Sequence, residues 1–586
     1  MVKEEISKIL EAAIKKSGFN ASGNLVSFSN KPETSDYQSN ICFALSKQVG
    51  KNPKEIAQTI ISNINSYDYE FSFCAPGFIN IKLTDKKFSD AANSILKSKN
   101  LGIEKTEKGE VIFLDYGGAN VAKELHVGHL RSPIIGEAIK RLYDLFGAKT
   151  ISDTHLGDWG LQMGLTIAQL EDDGYLDYYF KGKGNKPKIT LEMLNEEYPK
   201  ASLRKKTDEA FRIKADNYTL WLQQRKEPYL SVWKDMREVS VKTIEKNYAN
   251  LNITFDLWKG ESSVSNEDIK KTIDIFKKKG LARVSEGALV VDVAREGENI
   301  PIPKKNENDP QLYRNPMPPA IIEKHNGGEL YMTTDLATLV ERNKDYKPNK
   351  VIYVTDSRQK EHFVKLFRCA KLASISPESQ ELIHVGFGTM NGKDGKPFKT
   401  RSGDTIKLED VTNLISEKAH EKLTANGLGN DPKLALKIGV AALKFGDLSN
   451  DVTKDYVLDI DRFAAFEGKT GPYIQYTIAR INSLLNKAGN FDEKISVSLD
   501  EEKIIVMNVL KLIESFRISL TNLSLVSLCN ATFALAQSYS TFYNNVKILS
   551  EKDCAKKNSY LALSKLVKNA LSLALETLAI DVLEKM

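Results

Sequence analysis

His126 and His129, three residues apart with Gly128 between them, are the side chains of this sequence best placed to do chemistry. Two imidazoles at that spacing can donate hydrogen bonds to phosphate oxygens, and the intervening glycine lets a flat base lie against bare backbone. The chemistry would be the holding of ATP. The flanking residues supply the elements that must position such a pair. Val111 to Tyr116 is a short, mostly apolar run suited to a buried strand, and Gly128 to Phe146 puts Leu130, Ile134, Ile135, Ala138 and Leu142 on one helical face, with Gly147 at the C-cap. The histidines therefore fall at a helix N-terminus, where unpaired backbone N–H groups and the positive end of the helix dipole favour anions.

A second set of residues suits a cationic substrate. Strand-like runs recur at Lys149 to Ser152, Ala288 to Val293, Leu330 to Thr333, Val351 to Val354 and Ile383 to Phe387, separated by helical stretches. Such alternation argues for a doubly wound parallel sheet, which binds ligands beyond the carboxyl ends of its strands. Tyr331 and Asp335 lie four residues apart at the mouth of a helix, and Gln359 follows the run ending at Val354. A guanidinium needs a carboxylate for its charge and planar acceptors for its fork, and Asp115, Asp335, Tyr331 and Gln359 could supply these. Taken singly, each is as readily a cap or a surface group.

Two loops complete the inventory. His155-Leu-Gly-Asp158-Trp159-Gly160 is dense in special residues, and Trp159 could wall a pocket or sit in the core. Phe387 to Gly403, which includes Met390, Phe398, Lys399 and Arg401, is rich in glycine and basic residues. A mobile basic loop can close over a triphosphate and neutralise departing pyrophosphate, although an ordinary surface hairpin has the same composition.

At 586 residues the chain is long enough for three or more domains. A net charge of +6 permits a polyanionic partner without demanding one. Cys42, Cys74, Cys369, Cys529 and Cys554 show no paired spacing, so they read as idle or buried thiols of a reducing cytosol, with no zinc site. The amino terminus carries no export signal. Ile518 to Val546 lacks charge but is interrupted by Asn, Gln and Thr, which suits a buried bundle helix better than a membrane span. Lys47, Lys51 and Lys54 near the second N-terminal helix could be a solvated face or a nucleic-acid contact.

The block Asn120-Val-Ala-Lys123-Glu-Leu-His126-Val-Gly-His129-Leu-Arg131-Ser132 resembles the arginyl form of the His-Ile-Gly-His motif of class I aminoacyl-tRNA synthetases. The resemblance runs through the whole chain in the family's order. Lys51-Asn-Pro-Lys-Glu-Ile-Ala57 and Ala75-Pro-Gly-Phe-Ile-Asn80 are similar to its N-terminal domain, which touches the tRNA elbow; Phe466 to Tyr476 and Arg480 are similar to its anticodon-binding bundle. It implies an α/β fold: a small α/β domain over 1–106, a Rossmann-type catalytic domain over 107–405 with an insertion near 176–284, linker helices over 406–436 and an all-α bundle over 437–586.

By that resemblance Asp115, Asn120, Tyr331, Asp335 and Gln359 bind L-arginine, and His126, Gly128, His129, Met390 and Lys399 bind ATP, with Mg²⁺ on the phosphates. Arg401 stands where the class usually has the second lysine of its Lys-Met-Ser-Lys-Ser loop, and Lys123 is expected to supply the missing ammonium. His126, His129, Lys123, Lys399 and Arg401 would then carry catalysis, while Tyr473, Gln475, Tyr476, Arg480 and Met586 would meet tRNA, unpaired bases stacking on aromatic and arginine side chains. The implied activity is ligation of arginine to its tRNA by a cytoplasmic monomer. A small-molecule nucleotidyl transferase or a catalytically silent tRNA-binding paralogue are the alternatives.

Overall fold

The structure is a computed structural model, and it describes residues 2–21, 23–302, 304, 309–314, 317–324, 331–392, 395, 406–425, 427 and 429–585. The first hundred residues build a helix-flanked antiparallel sheet. Its opening helix, Val2–Lys16, buries Val2, Ile6, Leu10, Ala13 and Ile14 along one stripe and carries acids in its first turn and lysines in its last. Four strands follow in the order Ser27–Phe28, Tyr37–Ser39, Phe78–Leu83 and Tyr69–Cys74, with Ile79, Ile81 and Leu83 alternating into the core.

The functional sheet has four parallel strands in the order Glu381–Phe387, Lys350–Asp356, Val111–Tyr116 and Lys149–Asp153. Both faces of the Val111–Tyr116 strand are covered. Ile112, Leu114 and Tyr116 join one core with the helix Arg131–Leu145, while Phe113 joins another with the helices Tyr331–Asp345 and Lys360–Leu372. This is the doubly wound arrangement that a near-continuous apolar strand requires.

Two expected members of that sheet are elsewhere. Ala288–Val291 pairs in a separate antiparallel sheet with Ala282–Ser285 and Ala320–Glu323. The run from Leu330 is no strand from Tyr331 on: Tyr331 opens a helix, Leu330 lying outside the described residues. Its β-branched Thr333 and Thr334 are overruled by the spacing of buried Met332, Leu336 and Leu339, a helical period.

Helices dominate the rest. Leu161–Asp172, Leu191–Arg204, Glu209–Gln223 and Tyr229–Asn250 pack beside the sheet around an aromatic cluster of Phe180, Tyr218, Trp221 and Tyr229. Leu408–Ala425, in the region expected to hold linker helices, packs against Pro432–Leu448, and the further C-terminal helices are Gly471–Ala488, Asp500–Asn522, Val526–Asn545 and Cys554–Thr577, which form a bundle with Pro432–Leu448. The uncharged stretch from Ile518 is split between two of these helices by Leu523, whose φ is 49°. Among the described residues no helix is long and apolar enough to cross a membrane.

One close approach ties the sheet to the helix that carries the histidines. A Cβ on Gly136 would stand 2.2 Å from Cγ of Tyr116. Gly136→Ala is therefore expected to destabilise this domain by about 1 to 3 kcal/mol through overpacking, seen as a lower first melting transition. Unchanged melting would show that strand and helix can separate at no cost.

Candidate functional site

A cavity of about 780 Å³ opens at the carboxyl ends of the parallel strands. It gathers Asp115, Asn120, His126, Gly128, His129, Tyr331, Asp335, Gln359 and Met390 from segments up to 275 residues apart in sequence. A second cleft of about 370 Å³ lies between the N-terminal helix and the bundle, and four of its charged residues already pair, Lys3 with Glu514 at 2.8 Å and Arg517 with Glu4 at 3.5 Å. None of the residues singled out above lines it.

The histidine pair is a preset donor couple. The two rings lie 3.9 Å apart between centroids. Nδ1 of His126 accepts from the Gly128 N–H and Nδ1 of His129 accepts from the His126 N–H, each at 3.1 Å. A backbone N–H can only donate, so both imidazoles must be neutral at Nδ1 and carry their proton on Nε2, free to donate. Burial, and then the Lys123 charge, lower the His126 pKa; burial first, then His126 and Lys123, bring His129 to about 3. The pair thus meets phosphate as neutral donors.

Lys123 itself is exposed, and it borders a separate small pocket with Glu124 and Lys407 instead of lining the main cavity. Lys399 and Arg401 lie outside the described residues, but the chain leaving their loop is stitched to the histidine motif. Val127 donates to the Ile406 carbonyl at 3.0 Å, Leu408 to that of Leu125 at 2.9 Å, and His126 bridges Lys407. On the other side of the loop, Met390 is buried in the cavity wall and pairs with Tyr456.

Arg131, named above only within its motif, is a structural hub. It is almost wholly buried and donates to Asp447 at 2.9 Å and to the carbonyls of Gly388 and Lys454 at 2.7 and 3.1 Å. One guanidinium thereby fastens the histidine helix to the bundle and to the strand end before the basic loop.

The acids of the cavity differ in what they already hold. Asp115 is engaged by Arg342 at 2.6 Å, which also takes Asp153 at 3.0 Å and stacks over Phe113. Burial nevertheless pushes the Asp115 carboxyl up, against the pull of Arg342. Asp115, Asp153 and His155 are grouped closely enough to hold a metal ion, yet the buried Arg342 charge already crosses that group, so it is poorly suited to one. Asp335 holds His362 at 2.6 Å. Glu261, which no sequence pattern marked, lines the same cavity without an arginine or lysine partner among the described residues, and burial raises its carboxyl to about 7.

The loop 155–160 explains how Glu261 is placed. Asp158, fully buried, accepts from the Ser262 backbone at 2.9 Å and its hydroxyl at 2.7 Å, while the Glu261 N–H donates to the Leu156 carbonyl at 3.0 Å. Arg237 balances the Asp158 charge at 2.8 Å. Trp159 is buried against Trp233 and belongs to the core. A Cβ on Gly157 would stand 2.3 Å from Oδ1 of Asn120, so that glycine is what leaves the Asn120 amide its place at the cavity. Gln359 is exposed at the end of the short turn Ser357–Gln359, and Tyr331 is 70% exposed, so both are available to a ligand.

In the bundle, Tyr473 and Arg480 both hydrogen-bond Ser540, and Arg480 stacks over Tyr543 at 4.7 Å and near Tyr476 at 5.7 Å. Tyr476 is exposed. Gln475 departs from the expectation of a tRNA contact: it is fully buried and donates to the Asp581 carbonyl at 2.8 Å, because position 475 falls on the inward face of the helix. Met586 lies outside the described residues.

Comparison with known proteins adds independent findings. The family description "tRNA synthetases class I (R), catalytic domain" matches residues 91–460, "DALR anticodon binding domain" matches 474–586, and "Arginyl tRNA synthetase N terminal domain" matches 2–83. The chain is 41% identical over 599 residues to an arginine–tRNA ligase of Alkaliphilus oremlandii, covering 100% of this chain and 99% of that protein. It is 38% identical over 605 residues to one of Hyphomonas neptunium, with 100% and 99% covered. Among solved structures, the arginyl-tRNA synthetase of Plasmodium falciparum superposes with a TM-score of 0.81 at 26% identity, covering 100% of this chain and 99% of that one. That of Thermus thermophilus shares the fold, with a TM-score of 0.79 at 20% identity and full coverage of both chains.

Proposed function

We propose how the pocket divides its work from a plain premise: this chain belongs to the arginyl-tRNA synthetases, and its reaction is the ligation of arginine to tRNA. The arginine carboxylate attacks the α-phosphorus of ATP, expelling pyrophosphate; the arginyl group then passes to the terminal adenosine of the tRNA.

The neutral Nε2–H groups of His126 and His129 would donate to phosphate oxygens where charge builds up during attack. Met390 and Gly128 would border the adenine. Lys399 and Arg401 would add positive charge as pyrophosphate leaves, while Lys123, which borders the neighbouring small pocket, would act through the charge it already exerts on His126. Mg²⁺ would ride on the triphosphate oxygens, since the one close carboxylate–histidine group among the described residues is crossed by Arg342. No side chain needs to become covalently attached.

For arginine, Asp335 and Glu261 are the carboxylates to which a substrate guanidinium adds charge balance. Tyr331 would accept or donate at its edge, and Asn120 and Gln359 would orient the α-amino end. Asp115 would act mainly through Arg342, fixing the strand end. The observation that carries this reading is the shared cavity, with two preset imidazole donors and an acidic group that has no arginine or lysine partner among the described residues. Pyrophosphate exchange against each amino acid, with and without tRNA, tests it: arginine alone should support exchange, and a second amino acid doing so equally would refute the assignment.

The Tyr473, Tyr476 and Arg480 face of the bundle would stack unpaired tRNA bases. Tyr476→Ala is expected to raise the tRNA Michaelis constant about tenfold, in keeping with about 1 to 3 kcal/mol for one base stacked on an aromatic ring. An unaltered constant would move the tRNA surface elsewhere. Action as a monomer in the cytoplasm belongs to the same proposal. Free, buried Cys42, Cys369 and Cys529 suit a reducing compartment, and sedimentation of a dimer at working concentration would overturn the monomer.

A further inference from the structure

From the strand Val111–Tyr116 runs a chain of polar contacts, buried at Tyr116 and partly exposed at Arg141, that none of these roles uses. The hydroxyl of Tyr116, the residue after Asp115 on the strand, donates to Glu137 at 2.8 Å, and the other Glu137 oxygen accepts from Arg141 at 2.8 Å. The Arg141 guanidinium continues to the Asn252 carbonyl and side-chain oxygen at 3.2 and 3.1 Å, and to the Glu576 carbonyl at 3.2 Å. Asn252, held with a φ of 53° just past the helix Tyr229–Asn250, donates to the Asp581 carboxylate at 2.8 Å.

Lys444 closes this junction from the bundle. It is fully buried, and its ammonium donates to the Ala579 carbonyl at 2.6 Å and the Asn252 carbonyl at 3.4 Å. Among the described residues no carboxylate forms an ion pair with it. Burial, then Arg141, draw its pKa down to about 7, with Glu137 and Asp581 opposing. A buried amine costs more than an apolar side chain of equal length would, so packing alone is a poor account of it.

The same terminal segment is gripped on its far side by the helix Gly471–Ala488. Gln475 donates to the Asp581 carbonyl at 2.8 Å, Asn482 to that of Glu584 at 3.3 Å, and Lys437 from the neighbouring helix pairs with Asp581 at 3.2 Å. That helix also presents Tyr473, Tyr476 and Arg480.

We propose that Lys444 is a positioning residue that ties the terminal segment 578–584 to Asn252, so that its placement on the tRNA-facing helix is transmitted through Arg141 and Glu137 to Tyr116 at the pocket floor. The inference rests on that helix being the tRNA-binding surface. Contacting residues in one polar network couple energetically, whereas distant independent sites add.

The test is a cycle in the full-length enzyme: Lys444→Met, Tyr116→Phe and both together, with tRNA affinity measured directly beside the aminoacylation kcat. Lys444→Met should keep its tRNA affinity within about twofold yet lose about tenfold in kcat, and the double variant should lose no more than the worse single one. An unaffected kcat, or losses that multiply, would overturn the proposal. Should Lys444→Met fail to fold, Asn252→Ala removes the side-chain half of the same junction and enters the same cycle. If instead Tyr476→Ala leaves tRNA affinity unchanged, the surface assignment fails while the cycle still reports whether Lys444 and Tyr116 are coupled.

Discussion

Asp335→Asn is expected to raise the arginine Michaelis constant about a hundredfold or more while leaving that of ATP nearly intact. Removing one partner of a buried ion pair costs about 3 to 5 kcal/mol, and each 1.4 kcal/mol or so is a factor of ten. Among the described residues Asp335 shares its charge only with His362 at the cavity, so the substrate guanidinium is its natural second partner. Glu261 should contribute in a pH-dependent way. Its carboxyl is raised to about 7, chiefly by burial, so it is largely neutral below that pH and ionised above it. Arginine affinity should therefore improve as pH rises from about 6 to 8, and the improvement should flatten in Glu261→Gln. Steady-state kinetics across that range check both effects; an unchanged arginine constant in Asp335→Asn would remove it from the site.

His129→Ala should slow arginyl-adenylate formation by about 10² to 10³, the usual loss when one preorganised donor to developing charge is removed. Two hydrogen bonds preset this donor: His129 Nδ1 is occupied by the His126 N–H, and His126 Nδ1 by that of Gly128. Single-turnover measurement of the adenylate separates this from tRNA charging, and a wild-type rate would show the pair to be structural. The same burial has a consequence for stability. His129 is held at about 3, below its unfolded value, so the unfolded chain binds the extra proton first. Its neutral form thus supports the fold near neutrality, and that support is lost as pH falls from about 6.5 toward 3.

What could be read from residues alone follows from how local each determinant is. The histidine pair, its strand and its helix lie within 35 consecutive residues, and spacing alone specifies their order and placement. Asp335 and Gln359 could be placed because each sits just beyond or at the opening of a periodic segment. Glu261 could not: its turn is held by Asp158, a hundred residues away, through a contact no local pattern encodes. No local pattern marks Arg131 or Arg342 as buried, since pairing with Asp447 or Asp115 depends on which elements pack together. Gln475 misled for the same reason, a polar side chain turned inward to hold the terminal segment. The run from Leu330 to Thr333 differs in another way, because a short, mostly apolar stretch fits either period until the following buried positions are counted.

The division of the pocket into a phosphate side and a guanidinium side is tested most directly by the preference for arginine over citrulline, its uncharged urea isostere. The ratio of kcat/KM for the two in adenylate formation is to be measured with tRNA present, in the wild-type enzyme, Asp335→Asn and His129→Ala. The ratio should collapse in Asp335→Asn, because its carboxylate is the main partner of the charged head, Glu261 being only partly ionised near pH 7. In His129→Ala it should persist while both rates fall together. A ratio left intact by Asp335→Asn, or abolished by His129→Ala, would contradict the account.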